Sequence, residues 1–196
     1  MTSIGDKSIQ VFLGIGVMVL LALMMSLQRP SIRFDWEEIT LTIFSNRTEV
    51  RATYIFSNPT QKKQQIPVFY PIPRKEGMGP AELFKAWLVQ DEERITLPME
   101  LNGNNYVFML SIPPGDKCEL NITYQQATAS PYAKYILMTT WLWFRPLEKT
   151  ILNVIADKDL ESLTINYEME KTAEINDKVQ YRTVKKSFIP LKFFKS

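Results

Sequence analysis

The stretch that decides how this sequence folds is residues 56–73, FSNPTQKKQQIPVFYPIP. It opens like a β-hairpin, with Ser57, Asn58, Pro59 and Thr60 in turn chemistry, and then sets Pro67, Pro71 and Pro73 among large apolar side chains. Proline lacks an amide hydrogen, so prolines this dense cannot stand in the middle of a hydrogen-bonded ladder. Residues 67–73 are therefore expected at a sheet edge or bending off it, with Phe69 and Tyr70 on opposite faces and the prolines blocking pairing by foreign strands. A polyproline ligand fits less well. PVFYPIP spaces its prolines with three residues between Pro67 and Pro71, not two, and lies inside a patterned region instead of a tail.

Outward from this stretch the apolar residues alternate. Ile39, Leu41 and Ile43, then Val50, Ala52, Tyr54 and Phe56, then Cys118, Leu120, Ile122 and Tyr124 each leave polar residues between them, the mark of a half-buried strand. Leu163, Ile165, Tyr167 and Met169 repeat the pattern, and residues 107–112, 151–156 and 179–188 fit further strands. Turn sequences separate these runs: SNRT at 45–48, NGNN at 102–105, and PPGD at 113–116, where proline then glycine suits a type II turn. The expectation is a mainly β chain folded as an antiparallel β-sandwich. Residues 80–90, PAELFKAWLVQ, fit either a short helix opened by proline or a strand, and residues 132–144 are equally open.

Residues 9–27, IQVFLGIGVMVLLALMMSL, carry no charge. As a helix they would span about 28 Å, close to the hydrocarbon thickness of a bilayer. The run is long for the core of a cleaved signal peptide and no Ala-x-Ala pair follows it, so an uncleaved anchor is expected. The organisation is then a short tail (1–8), one transmembrane helix (9–27), a sandwich domain (31–188) and a basic, aromatic C-terminal tail (189–196). With Lys7 before the helix and Arg29 and Arg33 after it, the positive-inside rule sets no orientation. Gly14 and Gly16 fall on different helix faces, so they build no close-packing dimer seam.

Composition narrows the chemistry. A net charge of +2 over 196 residues, without an arginine-rich run, makes nucleic acid a poor partner. With no histidine, the chain lacks the side chain most used for proton transfer near neutral pH and for binding transition metals. The lone cysteine, Cys118, shares its strand face with Leu120, Ile122 and Tyr124 and reads as a small buried residue. No calcium loop or glycine-rich phosphate cradle is present, so neither metal nor cofactor is expected. A serine–lysine hydrolase would need a pairing such as Ser57 with Lys62, or Ser187 with Lys185 and Lys186, and the ser-met-x-pro phrase of type I signal peptidases is absent. Carboxylate chemistry would need acids held together; Glu168 and Glu170 are the pair placed to share a strand face, beside Glu37 with Glu38 and residues 91–93. No catalytic residue is assigned.

Two features suit binding. TTWLWFRPL concentrates Trp141, Trp143, Phe144 and Arg145, types enriched at interface centres. The chain end, with Lys185, Lys186, Lys192, Phe193, Phe194 and Lys195, mixes basic and aromatic residues as a contact with an anionic membrane surface would.

VRATYIFSNPTQKKQQIPVFYPIP (50–73), FMLSIPPGDKCELNITYQQ (108–126) and YILMTTWLWFRPL (135–147) together resemble a group of bacterial membrane-anchored extracytoplasmic domains. The first two phrases are also similar to the N-terminal β-sandwich of inter-alpha-trypsin-inhibitor-type domains. The resemblance implies a β-sandwich outside the cytoplasm and carries no catalytic residue with it. The expected function is a single-pass, membrane-anchored, non-catalytic module of the cell envelope that binds another envelope protein or a surface polymer. A membrane-bound hydrolase and an accessory subunit of a larger membrane complex are the alternatives.

Overall fold

The computed structural model of the chain describes residues 32–129, 133, 135, 145–158 and 168–188. These residues form strands β1 (Arg33–Ile43), β2 (Arg47–Ser57), β3 (Gln64–Pro71), β4 (Met78–Gln90), β5 (Glu93–Thr96), β6 (Glu100–Asn102), β7 (Asn105–Ile112), β8 (Lys117–Thr128), β9 (Leu147–Asp157), β10 (Glu170–Ile175) and β11 (Lys178–Phe188). No helix occurs among the described residues. The strands make a large sheet, in the order β10-β11-β9-β1-β2-β8-β4-β5, and a small one, β3-β7-β6. The expected transmembrane helix at 9–27, the strand at 163–167 and most of 132–144 lie outside the described residues.

The alternation seen in the sequence sets the inner face of the large sheet. Ile39 pairs with Ala52 and Ala52 with Ile122, and all three are buried. Phe56 pairs with Cys118, placing the thiol in the same layer with 3 % exposure. The small sheet supplies the facing layer: Val68 and Tyr70 on β3, and Phe108, Leu110 and Ile112 on β7, join the same cluster. Leu110 and Ile112 are fully buried, and side chains of this size contribute about 1.5–3 kcal/mol each when buried.

One feature of the expected sandwich is corrected. The large sheet is mixed, because β1 runs parallel to β9, from Trp36 beside Lys149 to Ile43 beside Ala156. Alternation fixes which side chains face inward and is blind to the direction of a neighbouring strand.

Residues 56–73 behave as their prolines require. Among the described residues β3 pairs with β7 alone and is an edge of the small sheet. Phe69 is 58 % exposed while Tyr70 is buried. The approach to β3 is held by Asn58, whose Nδ2 donates to the carbonyls of Lys62 (2.8 Å), Ile112 (3.0 Å) and Pro113 (2.8 Å) while Oδ1 accepts from the Thr60 amide (3.0 Å) and hydroxyl (2.7 Å). The 113–116 turn forms, with Gly115 at φ 74° and the Asp116 amide 3.4 Å from the Pro113 carbonyl. Residues 80–90 resolve as part of β4. Register shifts between Met78 and Ala81 and between Glu82 and Lys85 break the period of two, and Leu83, at φ 53°, is turned out to solvent.

Candidate functional site

Two places concentrate chemistry: a polar cluster inside the sandwich and an apolar face outside it. The inner cluster starts from a bulge. The β1–β2 pairing passes from Phe34 with Phe56 directly to Trp36 with Ile55, leaving Asp35 without a counterpart. The extra residue lets both Phe34 and Glu37 face inward. Glu37 is 2 % exposed, and the Thr150 hydroxyl donates to its Oε1 at 3.2 Å. Burial pushes the Glu37 carboxyl up from 4.5 to about 8, and the Thr150 bond pulls the other way. At neutral pH it is mostly a neutral acid.

Beside it stand four tyrosines. Tyr54 donates to the Tyr70 hydroxyl (3.4 Å), Tyr70 donates to Tyr135 (3.3 Å), and Tyr54 and Tyr135 share a third bond. Tyr124 packs edge-on to Tyr70, with its buried hydroxyl outside hydrogen-bond geometry among the described residues. Burial raises the Tyr54, Tyr70, Tyr124 and Tyr135 hydroxyls well above 10. These hydroxyls therefore stay protonated at neutral pH, beside a Glu37 that is mostly protonated. What the cluster does is fix packing, since each bonded hydroxyl constrains the rings around it.

The second place is the outward side of the small sheet. Register sets Pro67 beside Met109 and Phe69 beside Val107, on the side away from the core. Met109 is 51 % exposed. Gln65 with Ser111 and Pro71 with Asn105 complete the rows, and Val107 continues to Glu100 on β6. Glu100 is the one ionisable group among these outward residues. A solvated sheet face normally alternates polar residues outward; this one presents apolar side chains on both sides.

Of the residues singled out in the sequence, Trp141, Trp143 and Phe144 lie outside the described residues. Arg145 is turned inward: Nη2 donates to Asp35 Oδ1 (2.5 Å) and to the Phe34 carbonyl (3.2 Å), bracing the bulge. Lys185 and Lys186 stand on β11 next to Thr150 and Lys149, while Lys192, Phe193, Phe194 and Lys195 fall outside the described residues. No hydrogen bond joins Ser57 to Lys62, or Ser187 to Lys185 or Lys186, among the described residues. Glu168 precedes β10 and Glu170 opens it, both exposed or partly so. Asp91 and Glu92 form the two-residue β4–β5 turn, at φ 50° and 67°. Nothing in the sequence marks Glu37 as a neutral acid, although its parity with Ile39, Leu41 and Ile43 already puts it on the inward face.

No family model and no curated protein matches the chain. Among solved structures, a "putative nutrient binding protein" from Legionella pneumophila is similar at a TM-score of 0.62 and 14 % identity, over 83 % of this chain and 65 % of that one. An M1 zinc metallopeptidase from Deinococcus radiodurans is similar at a TM-score of 0.49 and 10 % identity, over 79 % of this chain and 39 % of the enzyme. The chain thus spans a little under two thirds of the Legionella protein. At such identities the first likeness shows a shared β fold and nothing further.

Proposed function

We propose that the chain is a membrane-anchored, extracytoplasmic, non-catalytic binding module, and that it takes a protein of the cell envelope on the outward side of the β3-β7-β6 sheet. The observation that carries this reading is the paired rows Pro67 with Met109 and Phe69 with Val107, in which Pro67, Phe69 and Met109 are exposed, Val107 is half-buried, and none carries charge. Such a face is matched by an apolar protein surface better than by a hydrated polymer. Recognition works through side chains and not through strand addition, because Pro67 and Pro71 remove amide donors from the β3 edge. The resemblance to extracytoplasmic anchored domains agrees with the uncharged segment 9–27, and the Legionella neighbour is itself named for binding. An accessory subunit of a larger complex differs from this reading in permanence alone.

The test is site-specific photo-crosslinking in native membranes, from positions 69 and 109, with position 123 on the opposite sheet as control. One protein adduct is expected from 69 and 109 and none from 123. Equal yields from all three positions would remove the outward face from the proposal.

A further inference from the structure

The apolar face of β3 and β7 carries one readily oxidised side chain, and it stands in the open. Met109 pairs with Pro67 on β3. Toward β6 it has no strand partner among the described residues, because β6 pairs with β7 only from Asn105 to Val107. The side chain is 51 % exposed. Its diagonal neighbour across the β3–β7 pair is Phe69, itself 58 % exposed. Diagonal neighbours lie roughly 7–8 Å apart, within reach of a long side chain, and a methionine sulfur gains from contact with an aromatic ring.

The other sulfur atoms among the described residues are placed differently. Met99 packs against the main core, Met169 against the buried group of Ile43, Val154 and Ala156, and Met78 is half-buried where β4 begins. Cys118 is 3 % exposed, and burial pushes its thiol up to about 12, so it offers almost no thiolate to an oxidant at neutral pH. A diffusing oxidant therefore meets Met109 before any of these.

We propose that Met109 is an oxidation-sensitive switch on the docking face: its sulfoxide turns the envelope protein away, and reduction restores docking. The inference rests on the function proposed above and adds a regulation to that same site. In the forward step the sulfur lone pair attacks one oxygen of hydrogen peroxide and the O–O bond breaks. The sulfur is oxidised by two electrons, and the second peroxide oxygen leaves as water. Methionine sulfoxide reductases reverse the step with a dithiol as reductant, one enzyme for each sulfoxide epimer. Toward the middle of the face, Pro67, Phe69 and Val107 offer the new S=O group no side-chain donor; Gln65 and Ser111 stand in the row on the other side. An apolar partner surface packed on these rows strips water from that oxygen without replacing the hydrogen bond.

The test uses native membranes holding the full chain with a photo-crosslinking residue at position 69, alone or combined with M109L or M109Q. The membranes are treated with hydrogen peroxide, quenched and irradiated, and oxidation at each methionine is read by peptide mass spectrometry. Met109 is expected to oxidise at least about threefold faster than Met99 and Met169, following exposure. With Met109 present, the adduct from 69 should fall at least about fivefold, the effect of one polar group buried without a partner. It should return after incubation with both sulfoxide reductases and a dithiol, and persist through peroxide in M109L. M109Q, which sets a polar amide on the face, should show the loss without peroxide. Oxidation of Met109 no faster than of Met99, an adduct that survives with Met109 as its sulfoxide, or an equal loss in M109L overturns the inference and leaves the docking face standing. Absence of any adduct from 69 before oxidant is added removes the docking face itself, and the switch with it.

Discussion

Replacing Glu37 by Gln should make the folded domain less sensitive to alkali. The carboxyl is 2 % exposed and pushed up from 4.5 to about 8, with desolvation as the largest cause. Between those values the folded state keeps a proton that the unfolded chain has released. Stability from this group is thus fully present below about pH 4.5 and is lost as pH rises through 8. Each pH unit in the window is worth roughly 1.4 kcal/mol, so the full loss is about 5 kcal/mol, as large as many a domain's whole stability. The side-chain amide of Gln keeps an acceptor for Thr150 and has no proton to lose. Full-length wild type and E37Q in mild detergent are compared by pulse proteolysis in urea from pH 5 to pH 8. The gap between them should widen in favour of E37Q by about 3 kcal/mol over that range. Parallel curves would refute the assignment of a buried neutral acid, and a variant already unfolded at pH 5 would show that the amide does not replace the acid.

Three more outcomes follow from individual contacts. N58A should cost about 2–4 kcal/mol, because three carbonyls lose one shared donor, and N58D should be no better, since a carboxylate cannot donate; urea midpoints decide it. Y124F should change stability by less than about 1 kcal/mol, because the buried Tyr124 hydroxyl has a weak interaction with Tyr70 and no well-formed hydrogen bond among the described residues; a larger loss would reveal a partner. Cys118, whose thiol burial pushes up to about 12, should resist alkylation at pH 8 in the folded chain and react once denatured, as intact mass will show.

How much of this was legible in the sequence can be judged from particular strands. β1, β2 and β8 were readable because one face of each meets the core and the other meets solvent, which writes burial directly into alternation. Pro67 and Pro71 announced an edge because a missing amide has the same consequence in any sheet. β4 was ambiguous for a physical reason: its two register shifts put Ala81, Phe84, Ala86 and Leu88 on the core at uneven spacing, which imitates a helix. The parallel neighbour of β1 left no local trace, since side-chain period is the same in either direction. Glu37 was visible as an inward position and unreadable as a neutral acid, because its state depends on Thr150, which is remote in sequence and adjacent only through the β1–β9 pairing.

The placement of the whole molecule is tested by adding protease to intact spheroplasts that produce the full chain with a tag after Ser196. A domain tethered outside the cytoplasm will lose the tag without lysis, while a cytoplasmic marker protein survives. A tag that is cleaved only after the membrane is broken would put the sandwich and its apolar face on the wrong side for the function proposed of them.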